Sequence, residues 1–171
     1  GPEGGQYSIF FAPGAKFELA DWQTPPPIDT LPFRLAGHTR TNAKFRAEFS
    51  LTNYSGHRFE VAVTREVRLL PTRSVWRLLH VPSAPGVRVV AFETDNRIRN
   101  SGHDAWARES GLLSVWILGM FNPSPDTTIV VPIQGGSSSE LGPAVTSDYF
   151  GTVPPERLVV RDGVIYFSGD G

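Results

Sequence analysis

The 171 residues include no cysteine. Disulfide bridges, thiolate zinc sites and cysteine nucleophiles are excluded together, and the redox compartment is left open. Lysine is scarce as well, with fourteen arginines against two lysines, Lys16 and Lys44. Arginine makes bidentate contacts that lysine cannot, but a GC-rich genome accounts for the bias, and no function is read from it. The net charge of -1 offers no basic field for nucleic acid or an anionic membrane surface. No secretory leader pattern is present, and no apolar run reaches the roughly twenty residues a bilayer span requires.

Motif chemistry is missing in several further respects. His38, His57, His80 and His103 are scattered, with no His-x-His or His-x-x-x-His spacing, and Asp104 and Asp170 complete no ligand loop. Neither a metal site nor a cofactor is expected. No Gly-x-Ser-x-Gly elbow surrounds Ser114, Ser124 or the serines at 137–139, so serine hydrolase chemistry has no support. Gly4 and Gly5 are not a phosphate loop, because no helix follows and no Lys-Ser/Thr closes it.

What remains is a globular composition, 40% hydrophobic and 19% charged, in a length that suits one domain with a core of its own. The clearest local signal is alternation. Phe45, Ala47, Phe49 and Leu51 alternate with Lys44, Arg46, Glu48 and Ser50. After the turn NYSG, Phe59, Val61, Val63, Val67 and Leu69 alternate with Arg58, Glu60, Thr64, Glu66 and Arg68. Two period-2 segments around such a turn predict an antiparallel hairpin with one buried and one wet face.

Further strands are predicted over residues 6–11, 32–39, 86–98 and 127–133. Asp162 and Gly163 between LVV and VIYF carry a type I′ hairpin signal. Residues 73–80 (RSVWRLLH) form the best helical candidate, ended by Pro82, and residues 155–158 suggest one helical turn. The run DWQTPPPIDT is expected to be a rigid extended loop, since successive prolines remove backbone donors. QGGSSSELG reads as a flexible loop. The most apolar stretch, residues 111–125 (GLLSVWILGMFNPSP), fits a buried strand or helix; its glycine boundaries and its Val, Trp, Ile and Phe favour a central strand. Short strands with turns between them predict an all-β antiparallel sandwich, with residues 1–171 as a single domain.

The phrases GPEGGQYSIFF, DWQTPPPIDT, LTNYSG, ESGLLSVWILGMFNPS and DYFGTVPPERLVV are spread over nearly the whole chain, from residue 1 to residue 160. They resemble a bacterial family of uncharacterised proteins related to the galactose mutarotase-like β-supersandwich. Members of that family are longer, so the resemblance implies an internal segment of a supersandwich. It also implies a carbohydrate-facing concave sheet. In mutarotase-like proteins an asparagine-containing turn and a glycine precede a strand with a His-Pro-Tyr-Phe motif at the sugar site. Asn100, Gly102 and Gly111 resemble that turn, and Trp116 stands where the aromatic and histidine cluster would be. His-Pro-Tyr-Phe itself is absent, so histidine acid–base chemistry is not implied. A periplasmic or secreted location is the expectation if the full-length protein carries a leader.

Sugars stack apolar CH faces on aromatic rings and pair hydroxyls with polar side chains, in clefts with few convergent polar groups. Catalytic candidates on that basis are Glu3, Glu93 and Asp95; substrate-binding candidates are Gln6, Asn96, His103, Trp106 and Trp116, with Trp22 beside the prolines. Each has a plainer reading. Glu3 and Gln6 also fit a polar glycine-rich turn, Trp116 the core, Trp106 the cover of a sheet edge, and Trp22 loop packing. Glu93 and Asp95 lie two apart and share a face in a regular strand. Paired carboxylates can cleave glycosidic bonds at the right separation, but such pairs also occur on any solvated face. The expected activities are an epimerase-like or glycosidase-like enzyme, a non-catalytic sugar-binding module, or an interaction domain without a small ligand. Unpaired strand edges invite pairing with another chain, so the chain, folded alone, is expected either to form a homo-oligomer or to close its own edges.

Overall fold

A computed structural model describes residues 4–146 and 151–171. The protein is all-β and antiparallel, with two sheets and only short helices among the described residues. It divides into two compact units, one ending at Trp116 and one beginning at Ile117.

The first unit is built on a four-stranded sheet of order β1-β2-β3-β4. Its strands are β1 (Arg34–His38), β2 (Asn42–Thr52), β3 (Arg58–Leu69) and β4 (Phe92–Asn100). The long alternating segments form the predicted hairpin, in unbroken register from Asn42 opposite Arg68 to Thr52 opposite Arg58. Side chains directly opposite in such a ladder share a face. The face bearing Phe49, Leu51, Phe59, Val61 and Val63 therefore becomes the core. Phe59 is 1% and Val61 2% exposed, and Ile9, Trp106 and Leu113 pack around them. The other end of the same face, with Leu35, Leu69 and Phe92, is exposed.

Several expectations change once partners are known. Residues 6–11 form turns rather than a strand. Phe10 and Phe11 are both buried, whereas consecutive strand residues point to opposite faces. The segment is held from several sides: the Gln6 and Ser8 carbonyls accept the N–H groups of Ser55 and Tyr54, and the Phe10 carbonyl accepts that of Gln23. The proline run is not wholly extended, because α1 (Pro26–Asp29) is one helical turn. Proline is tolerated there, as an N–H at the first helical position has no partner in any case. Helix α2 (Thr72–Leu78) lies where RSVWRLLH predicted it and buries Val75.

β4 begins at Phe92 and not near Gly86. Its partner ends at Leu69 with one further bond, Leu70 N–H to the Ala91 carbonyl, before Pro71 leads into α2. Residues 86–90 thus have no strand to pair with among the described residues. The apolar run 111–125 is likewise irregular; Gly111 is buried and Leu113 packs on the core, but residues 114–123 are exposed, with Met120 85% accessible. A strand exists only where a neighbour satisfies its backbone, and no strand pairs with this run among the described residues.

The second unit is a three-stranded sheet of order β5-β7-β6, with β5 (Thr128–Pro132), β6 (Leu158–Arg161) and β7 (Val164–Ser168). The predicted hairpin turn is present: Asp162 and Gly163 have φ of 52° and 74°, both positive as a type I′ turn requires. Residues 155–157 are a turn without a helix. The serine-rich loop instead contains one helical turn, α3 (Ser138–Leu141). Arg157 pairs with Asp170, and the Arg161 guanidinium lies 5.3 Å above the Tyr166 ring.

Candidate functional site

The wet face of the four-stranded sheet is assembled in rows. Lys44 of β2 lies opposite Glu66 of β3, which lies opposite Asp95 of β4. The next row runs Arg46, Thr64, Arg97, and β1 extends it with Arg34 opposite Arg46. Lys44, Arg46, Thr64, Glu66, Asp95 and Arg97 line a shallow open depression.

Charge pairing is dense around it. Arg97 grips Asp95 with two parallel bonds, Nε to Oδ1 at 3.0 Å and Nη2 to Oδ2 at 2.7 Å. Arg68 bridges two carboxylates, its Nη1 3.0 Å from Glu66 and its Nε 2.8 Å from Glu93. Asn42 Nδ2 donates a second bond to Glu66. Further along, Glu60 accepts from Ser50 Oγ at 2.9 Å and from Arg58 Nε at 2.7 Å.

These bonds stabilise the ionised acids. Arg97 holds the Asp95 carboxyl below its ordinary range by hydrogen bonding, with its charge and those of Arg68 and Lys44 adding to the effect. Asn42 first and Arg68 second do the same for Glu66. Asp95 and Glu66 are thus ionised at neutral pH, able to accept hydrogen bonds but poor proton donors.

The sequence-derived candidates fall in different places. Glu3 lies outside the described residues. Glu93 and Asp95 do share a face, each engaged by arginine. Asn96 is on the opposite face, its Nδ2 donating to Thr94 Oγ1 at 2.9 Å. Trp106 is on that face too, packed on the core and edge-on to Phe59 at 5.9 Å. Gln6 and His103 are exposed in turns. Trp116 is 51% exposed and meets Phe10 edge-on at 5.6 Å, while Trp22 stacks on the same Phe10 at 5.1 Å. The carboxylates and the tryptophan platform Trp106 are therefore separated by the sheet and do not form one cleft.

Lys44, Arg46, Thr64 and Arg97 were not singled out by sequence reasoning. Alternation put Lys44, Arg46 and Thr64 on the wet side, but only cross-strand register makes them converge. Among the described residues no group of three His, Cys, Asp or Glu side chains is placed to hold a metal ion, and no helix is long and apolar enough to cross a membrane.

Fold and site together define an antiparallel all-β protein with a charged depression on one sheet face. The whole chain, residues 1–171, matches a family of unknown function (DUF6786), and the chain belongs to that family. No curated protein and no solved structure matches it.

Proposed function

We propose that this chain is a carbohydrate-recognising β-domain, related to the galactose mutarotase-like supersandwich, that takes its ligand on the wet face of the four-stranded sheet. The depression lined by Lys44, Arg46, Thr64, Glu66, Asp95 and Arg97 carries the reading. Vicinal sugar hydroxyls donate and accept together, and a fixed arginine–carboxylate pair offers both partners side by side. The Asp95–Arg97 pair is already held in its bidentate geometry before a ligand arrives, which lowers the ordering cost of binding.

Binding without turnover is the favoured form of this reading. A retaining or inverting glycosidase needs one carboxyl that is protonated and able to donate. Asp95, held ionised by Arg97, does not suit that role. The test is calorimetric titration with a panel of mono- and oligosaccharides, with the mixtures assayed for products. Saturable binding that Asp95→Asn and Arg97→Gln both weaken, without products, supports the reading. Turnover abolished by Asp95→Asn establishes an enzyme instead, and a folded protein that binds no saccharide overturns the proposal.

A separate observation favours self-association: Ile117, Leu118, Met120 and Phe121 expose apolar side chains along one short run of the chain. Light scattering on the purified chain is expected to give a mass above the 18.8 kDa monomer; a monodisperse monomer would reject the idea.

A further inference from the structure

Some cations of the wet face form no ion pair among the described residues. Arg58, Arg68 and Arg97 each hold a carboxylate. Arg34 and Arg46 have no ion pair or side-chain hydrogen bond among the described residues, although they are direct partners across the β1–β2 ladder. Like charges placed opposite each other in a ladder oppose its formation. Glu48, two residues along β2 from Arg46, is exposed and forms no ion pair among the described residues either.

Adjacent strands are about 4.8 Å apart, so two guanidinium groups on neighbouring strands can straddle one acid group. Thr64, opposite Arg46 on its other side, adds a hydroxyl donor, and the occupied Asp95–Arg97 pair lies beyond it. Guanidinium forks match the planar, two-oxygen geometry of carboxylates and the oxygens of sulfate esters better than any uncharged group.

We propose that Arg34, Arg46 and Thr64 form a subsite for the acid group of an anionic saccharide, a uronate carboxylate or a sulfate ester. The inference rests on the carbohydrate reading above and names its ligand class. Hydroxyls next to the acid group reach the Asp95–Arg97 pair, so the charged row fixes both identity and direction of the ligand.

A glycan array carrying neutral, uronate-containing and sulfated saccharides tests it, followed by titration of each bound acidic saccharide against its uncharged counterpart. The acidic member is expected to bind on the order of tenfold more tightly, and the difference should shrink at high salt. Arg46→Gln and Arg34→Gln should each remove most of that difference, while Arg99→Gln, on the same face, leaves it intact. Which acidic class binds then separates uronate from sulfate ester. Equal binding of acidic and neutral members would overturn the subsite and leave carbohydrate recognition standing. Inorganic sulfate binding with no saccharide bound would overturn both.

Discussion

The side-chain amide of Asn53 donates to the Ser110 carbonyl oxygen at 2.8 Å, joining the β2–β3 turn to a loop 57 residues further along the chain. The same side chain accepts from Ser55 Oγ and the His57 N–H, both at 2.9 Å, and is 0% exposed. One residue thus shapes the hairpin turn and fastens the loop that carries Trp106 over the core. Asn53→Ala leaves the Ser110 carbonyl and the His57 N–H unpaired, and is expected to cost about 3 kcal/mol. Urea unfolding measures it. A loss well under 1 kcal/mol would mean that water replaces these bonds and the anchor is not Asn53.

Gly111 stands beside this anchor. Its φ is +107°, and a Cβ there would lie 3.2 Å from Asn53 Nδ2, 3.3 Å from Tyr7 and 3.4 Å from Phe59. Gly111→Ala combines backbone strain with crowding against a buried amide and is expected to destabilise by about 2 kcal/mol. Gly37→Ala, with nothing within 4 Å of its added Cβ, should be close to neutral. Similar losses at the two positions would refute the assignment.

Two aromatic side chains separate core from surface. Phe59 is almost fully buried, and Phe59→Ala is expected to cost about 3–5 kcal/mol. Trp116 is half exposed, and Trp116→Ala should cost about 1 kcal/mol or less. Denaturant midpoints of the two variants decide, and a Trp116 loss equal to that of Phe59 would place Trp116 in the core.

Acid should loosen the wet face of the sheet. Hydrogen bonding from Arg97 depresses the folded-state pKa of Asp95, and bonds from Asn42 and from Ser50 lead the depression at Glu66 and Glu60. The stability each adds is complete above the unfolded carboxylate value, about 4, and is lost as pH falls through the lower folded value. The melting temperature is therefore expected to fall on acidification below about pH 4, and less steeply in Asp95→Asn. NMR titration should place the Asp95 midpoint below the ordinary aspartate value; a midpoint at or above it would contradict the paired geometry.

Local pattern was enough for much of the fold. The alternation from Lys44 to Leu69 specified the central hairpin, because a period of two is a property of each strand alone. Asp162 and Gly163 specified their turn, because few residues tolerate positive φ in succession. The run RSVWRLLH before Pro82 marked its helix, and the absence of cysteine alone ruled out thiol chemistry. Where neighbours decide, the reading changed. Residues 111–125 are apolar enough for a central strand, yet among the described residues no strand pairs with them to complete the ladder. Residues 86–90 lost theirs when Pro71 turned the partner away.

The candidate site divides along the same line. That Glu93 and Asp95 share a face follows from spacing; that Trp106 and Asn96 lie behind the sheet, and that Arg34 stands opposite Arg46, follows only from register and packing. Alternation states which side of a strand a residue occupies and nothing about which residue faces it across the gap. Register is set by contacts between segments distant in sequence, so the meeting of charges on this sheet belongs to the tertiary structure alone.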